Sequence, residues 1–238
     1  MKIRFEIKLF LIISIIFINK IKSQNKKAIE IIEKSLIAHG FEPNAIKIKK
    51  IKYLKTTISY NNIGEPNKEI KQSITHQFDP FMTQIISNNK LLKTNGINTE
   101  VIINGILLND LKSSENAKSI LDGAFYVFWQ PMKLKDPGTI LKYLGEDFLP
   151  NKKKVHVINV SYPNGKDTWK FYFDTTTFLL IATEVNHNNK ISLIYTSDFN
   201  ITKHGIFHHK RESYNVTENR SKLILQASYV YDIKEVVN

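Results

Sequence analysis

From Ala117 onward the sequence carries a helical stripe, and at Phe125-Tyr-Val-Phe-Trp129 that stripe ends in a knot of aromatic side chains. Ala117, Ile120, Leu121, Ala124, Phe125 and Phe128 keep the i, i+3, i+4, i+7 spacing of a helix with one apolar face. Pro131 and Pro137 end the stretch, because the residue before a proline is pushed out of the helical region. Nearly everything else alternates with the period of a strand. One strong interior helix among many strands leaves few solutions. The sheet buries one face, and the helix is its best cover.

The strands can be followed in order. After a first helix at Asn25 to His39, ended by Gly40 and Pro43, the period changes to two. Ala28, Ile31, Ile32, Ser35, Leu36 and His39 trace one face of that helix, and His39 in its last turn reads as a partner of the helix dipole. Ile46, Ile48 and, after a shift, Ile51 and Tyr53 alternate with Lys47, Lys49, Lys52 and Lys55. Short strands follow, separated by turn pairs such as Asn88-Asn89, Asn95-Gly96 and Asn104-Gly105, in the pattern of an antiparallel meander. Ser113 or Ser114 is placed to cap the central helix. Beyond it, Leu141, Tyr143 and Leu144 suggest a short helix after the turn at Asp136-Pro137-Gly138. The C-terminal part is the clearest β pattern. Trp169, Phe171 and Phe173 alternate with polar neighbours, and Leu223, Leu225, Ala227, Tyr229, Tyr231 and Ile233 are expected on one face of the last strand.

Residues 1–23 read as a secretory leader, with basic Lys2, Arg4 and Lys8, the apolar run Leu9 to Ile18, and an exit near Ser23. The run is short for a bilayer span, so cleavage is expected over an uncleaved anchor. Residues 24–238 then form a single β-rich domain, exported to a periplasmic or extracellular address. The net charge is +12, but Arg occurs only at 4, 211 and 220, and Lys supplies the rest. Base reading favours the bidentate fork of Arg, so no nucleic-acid partner is expected, and contact with a membrane is at most peripheral. The absence of Cys excludes disulfides, thiolate metal sites, a Cys nucleophile and anchoring through an acylated Cys.

No catalytic signature is present. There is no Gly-x-Ser-x-Gly elbow and no Gly-rich phosphate loop, so no cofactor is expected. His204, His208 and His209 attract attention, yet strand residues four apart stand roughly 13 Å apart, and adjacent ones point to opposite faces. A metal site would need help from His76, Asp79 or Glu184, and solvent-facing histidines are the simpler expectation. Asp167, Asp174 and Glu184 read as solvated strand-end carboxylates. What remains is apolar. Phe125, Phe128 and Trp129 on the helix, with Trp169, Phe171, Phe173, Tyr229 and Tyr231 on the sheet, either fill a core or line a cavity for an acyl chain.

The order of elements resembles the periplasmic lipoprotein-carrier superfamily, the LolA/LolB-like fold. Its members are unclosed half-barrels whose concave apolar face is capped by helices and holds lipid chains. The block Phe125-Tyr-Val-Phe-Trp-Gln-Pro-Met-Lys-Leu-Lys-Asp-Pro-Gly138, with Tyr143-Leu-Gly145 and Trp169-Lys-Phe-Tyr-Phe-Asp174, is more specifically similar to a poorly characterised family of exported bacterial proteins, over residues 26 to 236. The resemblance implies an α+β fold: a strongly curved antiparallel sheet, an unclosed half-barrel, with an N-terminal and a central helix over the concave face. It implies a non-catalytic protein binding a lipid or an acylated protein. Classical carriers place an Arg in the cavity to hold the lid. Here Arg211 and Arg220 come late in the chain, and neither is given that role. The alternatives from other classes are an envelope protein-interaction or scaffold module with a filled core and, last, an exported hydrolase with an assembled His/Asp site.

Overall fold

The computed structural model describes residues 25–41, 48–61, 64–163, 165, 167–188, 190–216 and 222–238. The expected leader, residues 1–23, lies outside the described residues. Helix α1 occupies 25–38. Strands β1 (Lys50–Tyr60), β2 (Pro66–Phe78), β3 (Phe81–Ser87), β4 (Lys90–Thr94), β5 (Thr99–Ile103) and β6 (Ile106–Leu108) then step outward as a meander. Helix α2 (Leu111–Phe128) and a 3-10 turn (Met132–Lys135) carry the chain to the opposite edge of the same sheet. From there β7 (Ile140–Phe148), β8 (Lys154–Ser161), β9 (Thr168–Asp174), β10 (Leu180–His187), β11 (Lys190–Thr202), β12 (Gly205–Val216) and β13 (Leu223–Val237) step back inward. β13 closes the path by pairing antiparallel with β1. The result is one antiparallel sheet of thirteen strands with free edges at β6 and β7, the expected unclosed half-barrel.

This path explains why one helix can serve the whole sheet. α2 is the only described connection between the two edges, so it has to cross the sheet's face. It lies closest to β3, β4 and β5. Its Ala117, Leu121 and Phe128 join α1's Ala28, Ile31, Ile32 and Leu36 in one buried cluster with Ile51, Tyr53, Ile74, Phe171 and Phe173 of the sheet. The face predicted for α1 is thus the face that is buried. α1 ends as its sequence predicts. Gly40 has φ +74°, its N–H meets the Ile37 carbonyl, and the Phe41 N–H reaches the Leu36 carbonyl, the paired bonds of a Schellman cap. Asn104-Gly105, both at positive φ, form the tight turn between β5 and β6.

Three local expectations are corrected. The cap of α2 is Asp110, whose carboxylate accepts from the Ser113 N–H at 2.8 Å, so the helix starts earlier than a Ser113 or Ser114 cap allows. Residues 141–144 are strand, not a short helix. Leu141 and Tyr143 reach the core cluster at a spacing of two while pairing with β8, and Leu144 bulges where the register shifts before Gly145. The last strand does not keep one face. Ser213 pairs with Ala227 and Tyr214 with Leu225, so Gln226 is an extra residue that reverses the alternation. Tyr229 and Tyr231 therefore stay on the helix-covered face, while Leu223 packs on the other side with Tyr172 and Leu193.

Candidate functional site

The two sides of α2 meet the sheet differently. One side carries its large residues. Phe128 stacks on Tyr53 with ring centroids 4.2 Å apart and on Phe207 at 5.5 Å. Trp129 stands edge-on to Phe78 at 4.9 Å, and Phe125 packs edge-on to His76 at 5.1 Å and Phe81 at 5.4 Å, with Lys133 over its open face. Phe128 and Trp129 are 2% and 1% exposed. This end of the helix is filled.

The other side presents Ile120, Gly123, Ala124 and Val127, again at helical spacing, with no aromatic among them and two small residues at its centre. Beneath it lie two cavities that share Lys55, Val127 and Tyr231. One, of about 250 Å³, is walled by Tyr53, Gln72, Ile74 and Ile85 of the first half of the sheet. The second, of about 300 Å³, is walled by Trp169, Val185, Ile194 and Tyr229 of the second half. Gly123 borders the first cavity, and a Cβ added there meets nothing within 4 Å. The walls are apolar with a few polar groups, the composition of a small-molecule site.

The eight aromatic residues singled out by sequence separate accordingly. Phe128, Trp129, Phe171 and Phe173 are buried in the packed cluster, and Phe125 half-covers it. Trp169, Tyr229 and Tyr231 line the second cavity, and Tyr231 also lines the first.

Two residues of the groove escaped the sequence argument. Lys55, grouped there with the solvent-facing lysines, comes two residues after buried Tyr53 and so shares its face. Its ammonium stands 5.0 Å from the Tyr229 ring centre and 5.6 Å from that of Tyr231. Arg211 is 3% exposed and lines the second cavity. Strict alternation along β12, with Arg211 two residues before Ser213, was the available signal.

The histidines do not gather. His204 is half-exposed at a turn. His208 is buried against Thr196, and His209 faces Asp198 and Asp232. His76 is buried beside Tyr53, 3.1 Å from its hydroxyl. Solvent exposure is therefore the wrong expectation for His208; His76, considered only as a possible metal partner, is buried too, and Glu184, read as solvated, is buried and bound to Lys170 and the Tyr172 hydroxyl. Among the described residues no group of three His, Asp or Glu can hold a metal ion. His39 is not a dipole partner at a surface. Its Nε2 accepts from the Leu180 N–H at 3.2 Å, so its Nδ1 carries the proton and donates to the Ile206 carbonyl at 2.8 Å. It clamps the end of α1 to β10 and β12. Burial holds its pKa down to about 4 and that of His76 to about 3, and burial with the nearby Arg211 charge holds His208 well below the usual range.

An open antiparallel half-barrel with a helix laid across it, and apolar space left under one side of that helix, is the fold class the chain defines. The chain belongs to the family of unknown function DUF6503, whose model it matches over residues 7–226. Among solved structures it is similar to a DUF1329 family protein from Desulfovibrio piger ATCC 29098, with a TM-score of 0.52 at 9% identity over 91% of this chain and 92% of that one. It is also similar to the LolA superfamily protein NE2245 from Nitrosomonas europaea, with a TM-score of 0.45 at 7% identity over 88% and 92% of the two chains. No curated protein matches the sequence.

Proposed function

We propose that this protein is an exported, non-catalytic binding protein that holds the acyl chain of a lipid or of an acylated protein in the groove under α2. The observation that carries this reading is the pared-down side of the helix. Ile120, Gly123, Ala124 and Val127 leave cavities over apolar sheet residues where larger side chains would have filled the core. Sequestering an acyl chain is worth about 0.8 kcal/mol per buried methylene, so a short groove gives useful affinity without any chemistry. Trp169, Tyr229 and Tyr231 contact the chain. Phe125, Phe128 and Trp129 anchor α2 as a lid, and Phe171 and Phe173 support the floor. The address is periplasmic, with residues 1–23 removed near Ser23 and membrane contact only peripheral.

The filled-core scaffold is the second reading, favoured by the dense packing of Phe128 and Trp129. A titration separates the two. The chain has two Trp, and only Trp169 lines the groove. In a Trp129→Phe variant, adding an acyl chain should change the Trp169 emission saturably. A folded protein whose emission ignores every acyl probe contradicts the carrier reading.

A further inference from the structure

The groove under α2 contains a buried cation that the fold itself does not neutralise. The Arg211 Nη2 donates to Thr183 Oγ1 at 3.1 Å and the guanidinium also hydrogen-bonds the Tyr231 hydroxyl, both neutral partners, while its Nε, though buried, has no partner. Among the described residues no carboxylate pairs with it, and neither cavity has an Asp or Glu in its wall. The Oε1 of Gln130, 3% exposed in the same wall, is also without a partner. A half-turn of that amide presents N–H groups in its place. Lys55 adds a second cation, held over the Tyr229 and Tyr231 rings at the junction of the two cavities. A guanidinium removed from water without a counter-ion costs several kcal/mol, and Arg cannot escape by losing its proton. Its hydrogen bonds go to Thr183 and Tyr231 of the sheet, not to α2, so it is not placed as a clasp for the lid.

We propose that Arg211, with Lys55 and Gln130, forms the head-group site of the groove, and that the ligand is an amphiphile of one acyl chain ending in an anion, a carboxylate or a phosphate monoester. The anion accepts from the free Arg211 Nε–H, and the chain runs from there along Trp169, Val127 and Ile74. This assignment rests on the acyl-binding reading above and narrows it to anionic ligands. It also gives the polar groups of an otherwise apolar wall their partners.

The test uses the mature full chain and three probes of equal chain length: myristate, monomyristyl phosphate and myristyl alcohol. Affinities are measured by calorimetry at one ionic strength, for wild type, Arg211→Gln and Lys55→Gln, with thermal melts confirming that each is folded. The site predicts that wild type prefers one or both anions over the alcohol by about tenfold or more, the ordinary worth of a charge-assisted hydrogen bond. Which anion wins identifies the head group. Arg211→Gln should remove most of that preference, and Lys55→Gln should reduce it less. Because the wild-type comparison needs no variant, an unfolded Arg211→Gln protein does not shelter the proposal. Equal affinity of wild type for acid, phosphate and alcohol overturns the head-group site but leaves acyl binding standing. Binding of none of the three overturns both.

Discussion

Two sides of one helix meet the same sheet in different ways. On one side of α2, Leu121, Phe125 and Phe128 interlock with Tyr53, His76 and Phe207 and leave no room. On the other, Ile120, Gly123, Ala124 and Val127 stand over Tyr231, Lys55 and Ile74 and leave cavities of about 250 and 300 Å³. Both sides are apolar enough to pack. The difference is side-chain volume, placed about a third of a turn apart on a helix that has to cross the sheet anyway. A packed side that fixes the helix lets the other side stay open without collapse.

The comparison can be broken most forcefully with acid. His39 and His76 are buried in the packed region, and among the described residues the groove walls contain no histidine. Unfolded, each imidazole takes up a proton near pH 6.5; folded, His39 takes it only near 4 and His76 near 3. Between those values the unfolded chain binds more protons, so stability falls as pH drops from 6.5 and is fully present above it. The slope is about 1.4 kcal/mol per pH unit for each histidine, which makes a loss of several kcal/mol by pH 4. Urea unfolding across that range measures it, and a flat stability from pH 7 to 4 would show that the histidines are not buried neutral.

Truncation of the packed side comes next. Phe128→Ala should cost roughly 3–5 kcal/mol of unfolding free energy, because its neighbours cannot collapse into the space. Filling the open side should do the opposite. Ala124→Leu places a branched side chain over the first cavity, and is expected to weaken acyl binding at least tenfold while stability changes by less than about 1.5 kcal/mol. If it destabilises like a core overpacking, the groove is not open. The smallest effect is expected at Gly123, whose added Cβ meets nothing. Gly123→Ala should raise stability by about 0.5–1 kcal/mol, since a mid-helix glycine costs that much relative to alanine. A thermal melt detects it.

Much of this architecture is legible in the sequence. The buried face of α1, its end at Gly40, the tight turn at Asn104-Gly105 and the helix-then-meander order all follow from local periodicity and turn chemistry. Two of the misses share a cause. The bulges at Leu144 and Gln226 add one residue to a strand, and that reverses which side every later residue faces. Nothing in the local sequence announces them, so the helix expected at 141–144 and the single face expected for the last strand both failed. His39 looked like an ordinary last-turn residue because its partners, Leu180 and Ile206, are far away in sequence. In the candidate site, the aromatic residues were visible as types. Which of them pack and which line space depended on residues too small to attract notice, Gly123 and Ala124. Lys55 was hidden by its charge, since alternation alone puts it on the face of Tyr53.

The central claim is that the open side of α2 holds an acyl chain. The most direct measurement is native mass spectrometry of the mature protein purified from a bacterial periplasm without detergent, followed by organic extraction, with Ala124→Leu prepared in parallel. The account predicts a wild-type mass raised by one acyl-containing molecule, recovered on extraction, and a variant that carries none. A wild-type protein of bare polypeptide mass that also fails to take up added acyl probes would contradict it, and would leave α2 as a helix packed on a core.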